Sequence, residues 1–174
     1  FTDIVGILDG AVTKKDLVKA LLKLRGRGTH DLEIVLSREA KVGGQTFPKG
    51  TVIHTGLDVP KGAYLPVGMS VKITGSGLKV GVTCALCHST VGEDGRVIEG
   101  APNSDLNMGT LLALAKNSAA YFRQTSVSPA EVKKGERTVT TSAGEKAALP
   151  DVAAFEEAVD KVFLSWPRGN FDST

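Results

Sequence analysis

The chain has 174 residues, of which 41% are hydrophobic and 23% are charged, so it can bury a substantial core within one domain. Its formal net charge of +2 is nearly neutral, which argues against nucleic acid as a partner. No apolar run approaches the ~20 residues needed to cross a bilayer, so no transmembrane segment is predicted. With two cysteines in the chain, no disulfide framework is expected.

The first predicted element is an amphipathic helix that begins after Thr13. Thr13 with Asp16 three residues later is typical of a helix-capping box. Leucines then recur on one face, at positions 17, 21 and 24, and glycines at 26 and 28 end the helix.

Residues 31–83 have a different character, with frequent β-branched residues and recurrent turn signals such as Gly43-Gly44 and Pro60-Lys61-Gly62. Segments of strand-like composition lie between the turns, among them Val52-Ile53-His54 and residues 78–83. We predict a small antiparallel β module here, inserted between the first helix and the motif that follows.

That motif is Cys84-Ala85-Leu86-Cys87-His88, which contains both cysteines and one of the three histidines. Two thiols separated by two residues can span the two vinyl groups of one porphyrin, and the adjacent histidine can then reach the iron. The pattern CxxCH is the signature of covalent c-type haem attachment. It predicts one haem c bound through Cys84 and Cys87, with His88 as the proximal ligand.

Three other interpretations of this stretch remain open. A thioredoxin-like dithiol also follows a strand, but it does not require the histidine. A structural zinc site needs four ligands, and the chain has no second cysteine pair. A local disulfide in an exported protein is the third alternative.

After the motif, a helix is predicted from about residue 109 to 123, where leucines and alanines supply an apolar face. Residues 136–149 are polar and are expected to lie on the surface without regular structure. The last helix is predicted to open at Pro150-Asp151 and to close at Pro167, with Phe155, Val159 and Phe163 on its apolar face.

The two terminal helices and the CxxCH motif resemble the class I cytochrome c family. This resemblance implies a mainly α, cytochrome c-like fold in which the first and last helices cross, with the β insertion at residues 31–83 as a departure from the family. Residues 1–174 would form one such domain, and residues 167–174 would be a tail that leads to a further segment. Insertions of this kind are similar to those in larger or multi-haem secreted cytochromes.

The sixth ligand of the iron is less clear from the sequence. The family places a methionine shortly before the last helix, but no methionine follows Met108. Met108, in a loop that enters a helix, and Met69, in a Pro/Gly-bounded loop, are the two candidates. Met108 could equally fill a gap in the core, and Met69 could simply begin a strand. His54 is a weaker candidate, because a histidine on a strand is more often hydrogen-bonded than bound to a metal. His30 is expected to be solvated.

These observations predict an exported c-type cytochrome that passes single electrons between redox partner proteins. Because c-type haem is attached outside the cytoplasmic membrane, a periplasmic or extracellular location is expected, and a chain that begins at Phe1 is expected to be a processed form without its signal peptide. Two alternatives stand beside electron transfer: a haem enzyme or gas-binding module with an open distal site, and one domain of a multi-haem or filamentous assembly.

Overall fold

The computed structural model describes residues 8–75 and 77–171 of the chain. Helix and strand are nearly balanced, at 26% and 28% of the residues, so the fold is mixed α/β. The prediction of a mainly α, cytochrome c-like fold was therefore wrong. Strands occur on both sides of the motif and not only in the stretch before it, which is the main reason for the difference.

Between residues 14 and 171, the helical elements are short except for the first and the last. The α-helices are α1 (Lys14–Leu24), α2 (Ala85–His88), α3 (Met108–Ala113) and α4 (Val152–Ser165), and a 3₁₀ helix spans Ser118–Gln124. Among residues 8–75 and 77–171, no helix has both the length and the apolar character that a bilayer crossing requires.

The strands of the described residues form two-stranded antiparallel pairs rather than one continuous sheet. β1 pairs with β4, β2 with β3, β5 with β6, β7 with β8, and β9 with β10. Their bounds are β1 Glu33–Val35, β2 Ala40–Val42, β3 Gln45–Phe47, β4 Val52–His54, β5 Met69–Thr74, β6 Gly77–Val82, β7 Ser89–Val91, β8 Val97–Glu99, β9 Lys134–Thr140 and β10 Lys146–Pro150.

Helix α1 begins as its sequence predicts. Thr13 is the N-cap, its hydroxyl accepts a hydrogen bond from the Asp16 amide at 3.3 Å, and the Asp16 carboxylate accepts one from the Thr13 amide at 3.1 Å. The capping box therefore satisfies two amides that the helix itself cannot. The helix packs chiefly against β1, whereas α4 packs chiefly against α3, so the crossing of first and last helices implied by the resemblance is not the main helix contact.

The single helix predicted from about residue 109 to 123 is divided in two. Helix α3 ends at Ala113, and Asn117 has non-helical backbone angles, φ −144° and ψ 70°, before the 3₁₀ helix begins. The break has a tertiary cause: the carbonyl of Leu114 accepts a hydrogen bond from the amide of Ala11 at 2.9 Å. The apolar periodicity of residues 109–123 continues across Leu114, although the backbone there is hydrogen-bonded to Ala11. The periodicity alone therefore predicted one continuous helix.

Residues 136–149 also differ from the prediction, because they contribute most of the β9–β10 hairpin. Thr138, Val139 and Thr140 are β-branched residues that favour a strand, but none of residues 136–149 is buried, so the hydrophobic signal was weak.

Helix α4 agrees with its prediction. Asp151 is the N-cap and accepts a hydrogen bond from the amide of Ala154 at 2.9 Å. Val159 and Phe163 are fully buried, and the ring of Phe163 meets that of Trp166 edge to face at 5.1 Å. This helix packs chiefly against α3, and the two together form one wall of the core.

Candidate functional site

The CxxCH motif forms a single helical turn at the end of β6. Cys84 is the N-cap of α2, and its carbonyl accepts hydrogen bonds from the amides of Cys87 at 3.3 Å and His88 at 3.1 Å. The carbonyls at the other end are also satisfied: Asn103 donates to Cys87 and Gly100 donates to His88, both at 2.9 Å. The loop after the motif thus fixes the backbone of both residues.

Asn103 in turn ties this loop to the β region. Its side chain is buried and donates a hydrogen bond to the carbonyl of Gly56 at 3.0 Å. The backbone of Gly56 lies directly against that of Asp105, leaving no room for a β-carbon. The motif is therefore held between two segments that are far apart in sequence.

An apolar cavity of about 230 Å³ lies beside this turn. Cys87 and Leu86 line it from the motif, Val82 from β6, and Leu111 and Leu112 from α3. Leu17, Ile34 and Leu57 connect its inner wall to the hydrophobic core. The motif thus borders the apolar interior through Cys87, while Cys84 is exposed.

Both methionines line the same cavity. Met69 is the first residue of β5 and Met108 the first residue of α3, and each is half-buried against the core. Two thioethers and one motif cysteine therefore face one space, although the three residues come from separate parts of the chain. The two methionines named from the sequence are brought together with the motif.

His88 lies at the exposed side of the turn, next to Phe171. The two ring centroids are 6.3 Å apart in an edge-to-face arrangement, and Phe171 also lines the cavity. The amide of Gly169 donates to the carbonyl of Leu106 at 2.9 Å, which brings the segment after α4 back to the site. Sequence reasoning missed Phe171; an aromatic residue among turn-forming residues was the only available signal.

The other two histidines lie elsewhere. The Nδ1 atom of His54 is 2.8 Å from a carboxylate oxygen of Asp31, and half of the His54 side chain is solvent-exposed. Partial burial alone would raise the pKa of Asp31. A hydrogen bond from the Gly56 amide, together with the nearby His54 ring and Arg168, outweighs it and lowers the pKa. His30 contacts Asp58, with Nδ1 3.2 Å from the carboxylate.

Asp58 is a further residue that the sequence did not single out. It is almost completely buried, and one of its carboxylate oxygens accepts hydrogen bonds from the Thr90 hydroxyl at 2.5 Å and the Val91 amide at 3.0 Å. These two residues belong to β7, which follows His88 directly. Asp58 therefore holds the chain on the exit side of the motif.

The thiols are both free, and their surroundings bear on the alternatives for the motif. Burial raises the pKa of the Cys87 thiol, and the neighbouring Cys84 raises it further. A raised pKa keeps the Cys87 sulfur as a thiol at neutral pH, whereas the thiolate is the reactive form of a cysteine. In the part of the chain that the structure describes, no group of three or more His, Cys, Asp or Glu side chains is placed to hold a metal ion, which leaves the zinc interpretation without a ligand set there.

Comparisons with known proteins add no assignment: no family model, no curated protein and no solved structure matches this chain.

Proposed function

We propose that this protein is an exported c-type cytochrome that carries single electrons, with one haem attached through Cys84 and Cys87. The observation that carries the proposal is the position of the CxxCH turn, which has Cys87 in the wall of an apolar cavity that also contains two methionine side chains. A porphyrin is a large apolar ring, so the site must offer apolar walls and soft or imidazole ligands together.

The residues that line the cavity suit such a group, and Cys84 and His88 lie on the same turn outside the cavity lining. The cavity wall next to Cys87 is aliphatic, with Leu86, Val82 and Leu111, and it continues into the hydrophobic core. Cys84, at the exposed end of the same turn, leaves its thiol free for the second attachment. His88 follows on the same turn, whose backbone is fixed at both ends by hydrogen bonds.

Each part of the site then has a defined task. The two thiols would add across the two vinyl groups, forming one C–S bond each, with each thiol hydrogen going to a vinyl carbon. The His88 imidazole would bind the iron from one side, and Phe171 would restrict the orientation of its ring. Haem supplies one-electron redox chemistry when bound. The apolar walls would exclude water and so limit reorganisation when the charge changes.

Met69 or Met108 would complete the coordination of the iron. A methionine thioether is a soft ligand that raises the reduction potential of a histidine-bound haem. His54 is a less suitable candidate, because its ring is engaged by Asp31. A six-coordinate iron supports an electron carrier, whereas an open distal position would support the alternative function of a haem enzyme or gas-binding module.

The attachment is tested by producing the protein with a signal peptide in a host that matures c-type cytochromes. We expect covalent haem in the wild type, seen in a denaturing gel stained for haem and in an alkaline pyridine spectrum. Cys84→Ala together with Cys87→Ala should abolish covalent attachment, whereas Cys84→Ala alone should leave a single thioether. A colourless wild type with two free thiols would contradict the proposal.

The distal ligand is tested separately on the haem-loaded protein. A carrier should show a near-infrared charge-transfer band typical of a methionine ligand and no spectral change with carbon monoxide. Only one of Met69→Ala and Met108→Ala should lose that band and gain carbon monoxide binding, so each variant is the control for the other. Ready carbon monoxide binding by the wild type would favour the enzyme or gas-binding alternative instead.

A further inference from the structure

The β5–β6 hairpin immediately precedes the motif and has two chemically different faces. Opposed pairs in its antiparallel register are Met69 with Val82, Val71 with Val80, and Ile73 with Leu78. Because side chains alternate between the faces of a strand, all six lie on one face. The intervening rung, Lys72 with Lys79, lies on the other.

The burial of the apolar face decreases along the hairpin. At its base, Met69 and Val82 line the cavity beside Cys87. Val80 is buried in the core, but Val71, opposite it, is 39% exposed. At the far end, Leu78 is 38% exposed and Ile73 is 84% exposed. One continuous apolar face therefore begins inside the cavity and ends in solvent.

The base of this hairpin is firmly attached to the motif. The carbonyl of Gly68 accepts a hydrogen bond from the Thr83 amide at 2.8 Å. Gly68 has φ +75° and lies so close to the backbone of Ala85 and Leu86 that a β-carbon would not fit. The hairpin thus extends from the same point at which Cys84 and Cys87 would hold the porphyrin.

We infer that the apolar face of the β5–β6 hairpin, from Met69 and Val82 out to Ile73 and Leu78, covers the porphyrin attached at Cys84 and Cys87. This inference rests on the proposed function and names the residues that would shield the haem from water. The face runs for about 13 Å along β6 from Val82 to Leu78, given the rise per residue of a strand. Its base residues, Met69 and Val82, line the same cavity as Cys87, and so a ring held at Cys87 would lie next to this face.

Without a covering group, exposure of Ile73 to water at the end of this two-stranded ribbon is unfavourable. A contiguous apolar face that is open to water usually marks a binding surface. The lysine pair on the intervening rung lies on the opposite face, so the sequence separates a polar face from an apolar face. The apolar face is the one that reaches the cavity.

The test compares haem-loaded wild type with two matched double variants. Ile73→Thr with Leu78→Thr changes the apolar face, and Lys72→Thr with Lys79→Thr changes the adjacent rung on the other face; threonine keeps the strand propensity in both. The amplitude of the Soret difference spectrum produced by ethylene glycol reports how much of the haem touches solvent. We expect this amplitude to increase in the Ile73→Thr/Leu78→Thr protein and to stay at the wild-type value in the lysine variant.

Other outcomes identify which proposal fails. Equal amplitudes in wild type and in the apolar-face variant would overturn the hairpin inference and leave haem attachment intact. Unchanged spectra together with loss of a concentration-dependent dimer, seen by analytical ultracentrifugation, would instead assign the face to a second copy of the chain. A wild type without covalent haem would overturn the proposed function itself. If the double variant does not accumulate, Ile73→Thr alone gives the same comparison, because that side chain has little contact to lose.

Discussion

The most quantitative prediction concerns Asp160 on α4. Its carboxylate is buried, and its hydrogen bonds do not fully offset the loss of hydration. The residue is 7% exposed, and burial raises its pKa to about 6. Ser118 and the backbone of Gly43 lie near the carboxylate and lower the pKa in part, whereas Glu156 raises it. Oδ1 of Asp160 and Oγ of Ser118 make no hydrogen bond of normal geometry among the described residues.

The sign of the pH dependence follows from the raised pKa. Between pH of about 4 and 6 the folded protein keeps a proton that the unfolded chain has released, so the free energy of unfolding falls as pH rises through this window. The difference between about 6 and the ordinary 3.8 corresponds to about 3 kcal/mol at ~1.4 kcal/mol per pH unit. Above pH 6 this cost is present in full.

Asp160→Asn removes the ionisation and keeps the shape of the side chain. We expect the variant to be up to about 3 kcal/mol more stable than wild type at pH 8, with the difference shrinking toward zero near pH 4. Urea unfolding followed by circular dichroism at pH 4, 5, 6, 7 and 8 measures it. The control is Asp94→Asn at an exposed turn, which loses only an exposed ion pair to Arg96 worth about 0.5 kcal/mol. An Asp160→Asn gain that is the same at pH 4 and pH 8 would refute the reasoning, because it would come from packing rather than from proton release.

Two further predictions concern the backbone around the motif. Gly68→Ala should destabilise the protein by about 3 kcal/mol and lower the yield of attached haem, because it adds a clash with Leu86 to the strain of a positive φ; Gly62→Ala, with φ +80° and open space around it, should cost only about 1 kcal/mol. Thermal unfolding of the two variants side by side measures the clash alone, and equal midpoints would contradict it. Asp58→Ala should cost about 3 kcal/mol, because it leaves the buried donors of β7 without an acceptor, whereas Asp94→Ala at an exposed turn should stay within about 0.5 kcal/mol. If urea unfolding shows the same small effect for both, the Asp58 contacts do not hold β7.

Local sequence patterns predicted the elements whose signals lie within a few residues. The capping box at Thr13 and the N-cap at Asp151 were both visible, since each cap satisfies its own helix end. Six of the strands lie within residues 31–83, where β-branched residues and turn signals alternate. The CxxCH motif is equally local, because its spacing alone carries the chemistry that it predicts.

Features that depend on contacts between distant segments of the chain could not be predicted from local sequence patterns. The break after α3 arises because Leu114 bonds to Ala11, and no periodicity in residues 109–123 reveals that contact. The wrong fold class has a related cause: the β9–β10 hairpin is held by backbone pairing with little buried side-chain surface, so its hydrophobic pattern is weak. The contribution of Phe171 to the site depends on where the chain returns after α4.

The sequence by itself determined the CxxCH motif, the helices capped at Thr13 and Asp151, and the two methionines predicted as candidate distal ligands. Only the tertiary structure decided that Met69, Met108 and Cys87 line one cavity, that Asp58 secures the strand after the motif, and that the β5–β6 hairpin carries an apolar face out of that cavity. The physical reason is the separation along the chain over which each interaction acts. Capping, periodicity and motif spacing act between neighbours in the chain, whereas a cavity is formed by packing between segments whose separation in sequence carries no signal.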